Sequence, residues 1–426
     1  MIIEFSVRNF RSIRDDIRMS FVATSDKELA ATNLTVTGLT AAPRVTKAAV
    51  IYGANASGKS NLILALQTLK SLVVSSFTGM KPGQPFNFQP FALEQTSIIQ
   101  PTELEVTFIL NGIRHQYGCA FNAERITEEW LNVYVTSRPQ AWFHRKFDVD
   151  AIEDKYAFSS HLKGDKEVWQ KATRPNALFL STAAQHNSEQ LLPIYRWFAE
   201  NMVILPMGGA FNPDQTVSCL EDMKRRNVVV GLMAAADVGI NEVTLAKRLL
   251  VEQNFTLKPD GSTDMTRVDR EVMMPLFTHR NGDRAVAFEL GQESQGTQRF
   301  FNLIGPIIDI LQKGKILIVD ELDSSLHPLL VRQIVEMFHN PELNTHGAQL
   351  LFSTHDTSLL APDILRRDQI WFTEKAADHV TTLTPLTEFS PRKGEALERG
   401  YLMGRYGAVP MLDSFSNALK KSTEYS

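Results

Sequence analysis

The sequence predicts an α/β fold, a mixed sheet with helices whose two halves are split in the chain by a mostly helical insertion. Three observations lead there. The apolar run Ala48-Ala49-Val50-Ile51-Tyr52 passes through a glycine-punctuated turn into a stretch with Leu62, Leu66 and Leu69 at helical spacing. A second run, Ile316-Leu317-Ile318-Val319, ends in Asp320-Glu321, as a buried parallel strand delivers side chains at its C-terminal edge. Between them, residues 189–198, 214–226 and 243–253 read as helix-favouring.

The elements follow in order. Ile3, Phe5 and Val7 alternate with polar neighbours and predict an opening strand. Residues 104–110 and 117–121 alternate likewise, and Asn111-Gly112 between them predicts a hairpin turn. Lys258-Pro259-Asp260-Gly261-Ser262 reads as a loop inside the insertion. Strand signal returns at 284–290, 315–319 and 349–352. The expected division is 1–150, carrying the glycine turn; 151–280, the insertion; 281–385, the second half of the sheet; and 386–426, a tail.

Composition bounds the function. The chain has 426 residues, 43% hydrophobic and 22% charged, which describes an ordinary globular protein of two or three domains. A net charge of -4 excludes a globally basic nucleic-acid binder, so any basic surface is local. The two cysteines, Cys119 and Cys219, lack metal-ligand spacing and suit a reducing compartment. The start shows no signal-peptide pattern, and no apolar stretch is long enough to span a bilayer, so a soluble cytoplasmic protein without a membrane partner is expected.

Gly53-x-x-x-x-Gly58-Lys59-Ser60 has the spacing of a phosphate-binding loop. Small residues let consecutive backbone N–H groups turn inward around a phosphate. The lysine then reaches the outer phosphates, and the hydroxyl serves Mg²⁺. Beyond the second apolar run, Asp320 is placed for the Mg²⁺ shell and Glu321 for polarising the attacking water. Upstream, Glu293-Ser294-Gln295-Gly296-Thr297 opens a helix over 300–311, another anion-binding terminus. Downstream come Leu322-Asp323-Ser324-Ser325-Leu326-His327-Pro328 and the strand end Ser353-Thr354-His355-Asp356.

With these motifs in this order, the chain resembles ABC-type ATPases of the RecF, SMC and OLD group, the compact AAA family ATP-binding proteins found in anti-phage defence operons. Val7-Arg8-Asn9-Phe10-Arg11-Ser12, Asn55 within the phosphate loop and the tail Gly400 to Pro410 carry the likeness further. The resemblance implies ATP and Mg²⁺ as cofactors and ATP hydrolysis as the reaction. Gly53, Asn55, Gly58, Lys59, Ser60 and Asn61 would serve the nucleotide, with Ser60 and Asp320 at the metal. Ser294 and Gly296 would form the signature that meets the γ-phosphate held by a second subunit. Asp323 would lie in the loop crossing that interface, and His355 would sense the same phosphate. Arg11 would touch nucleotide, and Gln89 would be a metal-binding glutamine.

The departures narrow the choice. No sustained heptads separate Lys59 from Ser294, so a long SMC-type coiled-coil arm is excluded. The signature reads Glu-Ser-Gln-Gly-Thr, and with no membrane segments a transporter subunit does not fit. The stretch after His355 is too short for an OLD-type nuclease domain. Two readings remain. One is a homodimer or higher oligomer closing on sandwiched ATP and controlling a separate effector, a nuclease or toxin. The other is a RecF-like ATPase of DNA repair or maintenance, with Lys224-Arg225-Arg226 and Arg366-Arg367 as basic clusters for DNA. Tyr401 and Tyr406 in the tail are either core packing or anchors for a partner protein.

Overall fold

The computed structural model describes residues 1–236, 239–257, 263–390 and 395–409. The loop expected at Lys258 to Ser262 and the tail residue Pro410 lie outside these. The chain forms two compact units, one of residues 1–208, 310–323 and 331 onwards, the other of residues 209–309 and 324–330. Among the described residues no helix is long and apolar enough to cross a membrane.

The first unit holds two large sheets. One is antiparallel, in the order Glu153–Phe158, Gln140–Asp148, Ile126–Tyr134, Ile113–Phe121, Thr102–Leu110, Ile2–Arg8, Ile17–Ser20. Alternation decides which face is buried: Leu104, Val106 and Phe108 are fully covered, while Glu103, Glu105 and Thr107 on the other face are not. Asn111 at φ 52° and Gly112 at φ 73° make the expected two-residue turn.

The other sheet carries the glycine loop. Its strands are β1 (Ala48–Gly53), β2 (Met202–Leu205), β3 (Ile316–Val319), β4 (Gln349–Ser353), β5 (Ile370–Lys375) and β6 (Thr381–Pro385), in the order β2-β3-β4-β1-β5-β6. All pairs are parallel except β5 with β6. Every residue of β1, β3 and β4 is buried, which is why these strands read as unbroken apolar runs. Helix α1 (Lys59–Ser75) follows β1 and buries Leu62, Ile63, Leu66, Leu69 and Val73 in a core shared with the antiparallel sheet. Its C-terminal end is closed by the Arg174 guanidinium, which donates to the carbonyls of Ser76, Phe77 and Met80.

Residues 151–208, expected in the insertion, belong to the first unit. Apolar packing explains the correction: Tyr156, Phe158 and Trp169 surround Phe179, which lies 4.8 Å from Phe143 of the antiparallel sheet. Glu129, fully buried on that sheet, accepts the N–H groups of Phe179 and Leu180 and fixes the start of the helix Phe179–Gln185.

The second unit has helices Asp214–Glu221 and Met223–Ala236, then an antiparallel sheet of Ile240–Leu257, Thr263–Asn281 and Arg284–Glu289. The insertion is therefore only partly helical. Residues 243–253, read as helix, lie in a long ribbon strand with Val243 opposite Phe277 and Leu245 opposite Pro275. Val243 and Phe277 are fully buried, so cross-strand pairing overrides a local pattern that fits both periods. Pro275 is tolerated just before residues 276–281, where the third strand joins and the ribbon ceases to have a free edge. Helix α2 (Gln295–Lys313) begins in this unit.

Candidate nucleotide site

β1 ends at Gly53, and residues 54–58 turn the chain into α1. The turn admits no substitution at its glycines. Gly58 sits at φ 112°, and a Cβ there would lie 2.3 Å from Thr381 Oγ1. A Cβ on Gly53 would come within 2.3 Å of Thr373 Oγ1 and 2.4 Å of Ser57 Oγ. The same two threonines hold the loop: Ser57 Oγ and Thr373 Oγ1 are 2.7 Å apart, and Thr381 Oγ1 donates to the Ser57 carbonyl at 2.9 Å. Asn61 Nδ2 donates to Ser12 Oγ, which lies 2.7 Å from Thr381 Oγ1, so the start of α1 is tied to the same support. Asn55 stands exposed at the tip of the loop, and Ser60 is half-buried in the first turn of α1.

Lys59 is buried, and its ammonium donates to the carbonyls of Gly53 at 2.8 Å and Ala54 at 3.2 Å. Burial lowers its pKa from the ordinary lysine value, against the opposing pull of Asp320, Glu321 and Asp323. A cation desolvated inside a loop of small residues is a binding position for an anion.

The acids stand at the same sheet edge. Val319 is level with Phe352, and Phe352 with Val50, so Asp320 and Ser353 lie abreast at the C-terminal ends of β3 and β4, level with Ile51 of β1. Asp320 is 2% exposed, and its Oδ1 accepts from Ser353 Oγ. Glu321 adopts φ 53°, a left-handed conformation costing a non-glycine residue about 1–2 kcal/mol. Its N–H is bound to Ser353 Oγ at 2.8 Å. Asp323 Oδ2 accepts the N–H of His355 at 3.2 Å, while its Oδ1 is buried without a partner. The His355 ring is exposed. A glycine cradle, a buried lysine, a buried aspartate and an orphaned carboxylate oxygen together fit a magnesium-bound polyphosphate.

Other expected residues fall differently. Arg11 Nε donates to Gln89 Oε1 at 2.6 Å, so the oxygen a metal would need from Gln89 is already engaged. Arg11 also reaches Asn61 Oδ1 at 3.5 Å, beside the loop. Ser294 and Gly296 lie in the second unit. Ser294 Oγ accepts the Thr297 N–H at 3.1 Å and caps α2, and a Cβ on Gly296 would meet the Ser325 carbonyl at 2.8 Å. Arg366, expected in a basic cluster, is 3% exposed and paired with Asp368 at 2.7 Å. Lys224 and Arg225 are exposed.

Tyr401 and Tyr406 are core residues. Both stack on Phe372 of β5, at 5.6 and 5.3 Å, and Tyr401 lies 5.5 Å from Tyr52. Tyr52, one residue before Gly53, donates its hydroxyl to the Asp356 carbonyl at 2.9 Å, and burial pushes its phenol pKa up so that it stays a donor. Helix α3 (Leu397–Leu402) is further bound where Thr357 Oγ1 donates to Glu398 at 2.7 Å. Sequence reasoning missed Thr373, Thr381, Ser353 and Tyr52. The first two carry no motif, and the others lay unremarked inside recognised strands.

A comparison with solved structures finds similarity to "Crystal structure of the SmcHead bound to the C-winged helix domain of ScpA", at 13% identity and TM-score 0.39, over 90% of this chain and 96% of that one. No curated protein matches. A family model described as "AAA domain, putative AbiEii toxin, Type IV TA system" matches residues 48–361, from the first residue of β1 to beyond His355 and so across both the loop and the acids, and the chain belongs to that family.

Proposed function

We propose that this protein binds and hydrolyses ATP as an ABC-type ATPase, that its subunits engage through the nucleotide, and that it is the regulatory subunit of an anti-phage defence system controlling a separate nuclease or toxin. The observation that carries the ATPase reading is the single sheet edge where buried Lys59, in its glycine cradle, lies within the electrostatic reach of Asp320 and Glu321. In this reading the loop N–H groups and Lys59 hold the phosphates, with Asn55 and Asn61 beside them. Ser60 and Asp320 hold Mg²⁺, which when bound neutralises the charge on the phosphate oxygens. Glu321 takes the proton of a water whose oxygen bonds to the γ-phosphorus as the bond to the bridging oxygen breaks, giving ADP and phosphate. His355 and Asp323 read the γ-phosphate state, and Ser294 and Gly296 of a second copy complete the site.

Hydrolysis by the purified protein, lost with nucleotide binding in Lys59→Ala, tests the chemistry. The lysine also predicts a pH dependence. Phosphate favours the charged amine, so affinity is level below the free-site pKa and falls above it. Because burial lowers that pKa, the fall begins at a lower pH than for a solvent-exposed lysine. Fluorescent ADP titrations from neutral to alkaline pH should show it. Lys59→Arg, whose guanidinium stays charged, should bind with a flat profile.

Engagement is tested by Ser294→Arg, which puts bulk where the second copy's phosphate docks. In a Glu321→Gln background with Mg-ATP, light scattering should show the engaged dimer, and Ser294→Arg should remove it. An unchanged engaged state would take the signature role away.

The family description, which gives the AAA domain as a putative toxin of a toxin–antitoxin system, supports a defence or toxin–antitoxin setting and names no separate effector. With Tyr401 and Tyr406 buried, docking falls to the exposed Leu402 and Met403 or to the second unit. Expression with the native neighbouring gene should give a complex whose toxicity requires Lys59 and Glu321. Salt-sensitive, ATP-dependent DNA clamping by the protein alone would favour the repair reading instead.

A further inference from the structure

We infer that the Ser353 hydroxyl is a positioning group for both acids, fixing Asp320 and Glu321 for hydrolysis while contributing nothing to metal-free nucleotide binding; the inference rests on the ATPase reading above. The donor and acceptor roles are determined. Glu321 N–H can only donate, so Ser353 Oγ accepts it at 2.8 Å, and the hydroxyl's own proton goes to Asp320 Oδ1. One side chain thereby sets the backbone of one acid and the carboxylate of the next.

The backbone explains why a side chain is needed here. Asp320 N–H is bound to the Leu205 carbonyl and Leu322 N–H to the Ser353 carbonyl, both at 3.0 Å. Between them Glu321 turns to φ 53°, out of strand conformation, and its N–H goes to a side chain. A left-handed non-glycine residue persists only where its surroundings over-determine it. Ser353, fully buried, supplies that determination from the neighbouring strand. Without the hydroxyl, Asp320 Oδ1 loses this donor and the Glu321 N–H loses this acceptor, so both the metal side and the water side of the site lose a support together. Misplacing catalytic groups by about an ångström costs on the order of a hundredfold in rate.

The test compares Ser353→Ala, the near-isosteric Ser353→Cys and the hydroxyl-retaining Ser353→Thr in the full chain. Turnover is measured, and so is the affinity for a fluorescent non-hydrolysable ATP analogue with and without Mg²⁺. Ala and Cys should lower kcat by about 10–100-fold. They should leave the metal-free affinity unchanged and shrink the affinity gained on adding Mg²⁺, and Thr should restore both. The inference is overturned if Ala and Cys turn over at the parental rate, or if Thr is as impaired as they are. It is also overturned if metal-free affinity falls in step with kcat, since the serine would then only support the loop. If the parental protein binds nucleotide but shows no hydrolysis, the ATPase reading fails, and this inference with it. Parental hydrolysis with indifferent serine variants removes this inference alone.

Discussion

Glu321→Gln should bind Mg-ATP as the parent does and lose about 10²–10⁴ of the hydrolysis rate, the range typical of general-base catalysis. The amide is nearly isosteric and keeps the backbone N–H that Ser353 Oγ holds at 2.8 Å. It cannot accept a proton from water. Binding should survive because the groups proposed to face the phosphates belong to the loop and to Lys59, which are untouched. The check is steady-state phosphate release beside the affinity for ATP, both with Mg²⁺ present. Equal loss of affinity would mean the carboxylate shapes the bound state, and parental turnover would refute the water-activating role. Asp320→Asn differs in kind: it removes charge from a group 2% exposed and bonded to Ser353, so Mg²⁺-dependent affinity should fall along with rate.

Tyr401→Ala should cost about 3–5 kcal/mol of stability, as truncating a buried aromatic does. Its ring fills space between Tyr52 and Phe372, and its hydroxyl donates to the Ala408 carbonyl at 3.1 Å. Denaturant unfolding should show a lower midpoint, and nucleotide affinity should weaken too, since Tyr52 immediately precedes Gly53 and Phe372 immediately precedes Thr373. Leu402→Ala and Met403→Ala, at 62% and 69% exposure, should change stability by less than about 0.5 kcal/mol. If Tyr401→Ala unfolds at the parental midpoint yet fails to bind an effector, the tyrosine is an anchor after all.

The glycine turn and the acid-tipped strand were legible because they are local. The spacing from Gly53 to Ser60 is a covalent ruler, and the run 316–319 ending in acids needs no partner to be read. The expected strands β1, β3 and β4 stand where the apolar runs put them. Residues 243–253 misled because their apolar positions fit both a helix and a strand, and the deciding neighbour, Phe277, lies far along the chain. Arg366 beside Arg367 looks like a basic surface until Asp368 closes on it. Gln89 fits a motif-like loop, but only the fold shows Arg11 holding its oxygen. Thr373 and Thr381 escaped for the same reason: their role exists only where β5 and β6 come to lie against the loop.

That placement also bears on how the protein is made. The loop strand β1 occupies the sheet interior between β4 and β5, strands encoded some three hundred residues later. During translation, residues 48–75 leave the ribosome long before either flank exists, and contacts this distant in sequence form late. The threonines that brace the loop are later still, at 373 and 381. A nascent chain therefore carries an unsupported glycine turn until residue 381 has been synthesised. An interrupted product stopping before residue 370 would leave the glycine turn without β5 beside it and without either bracing threonine.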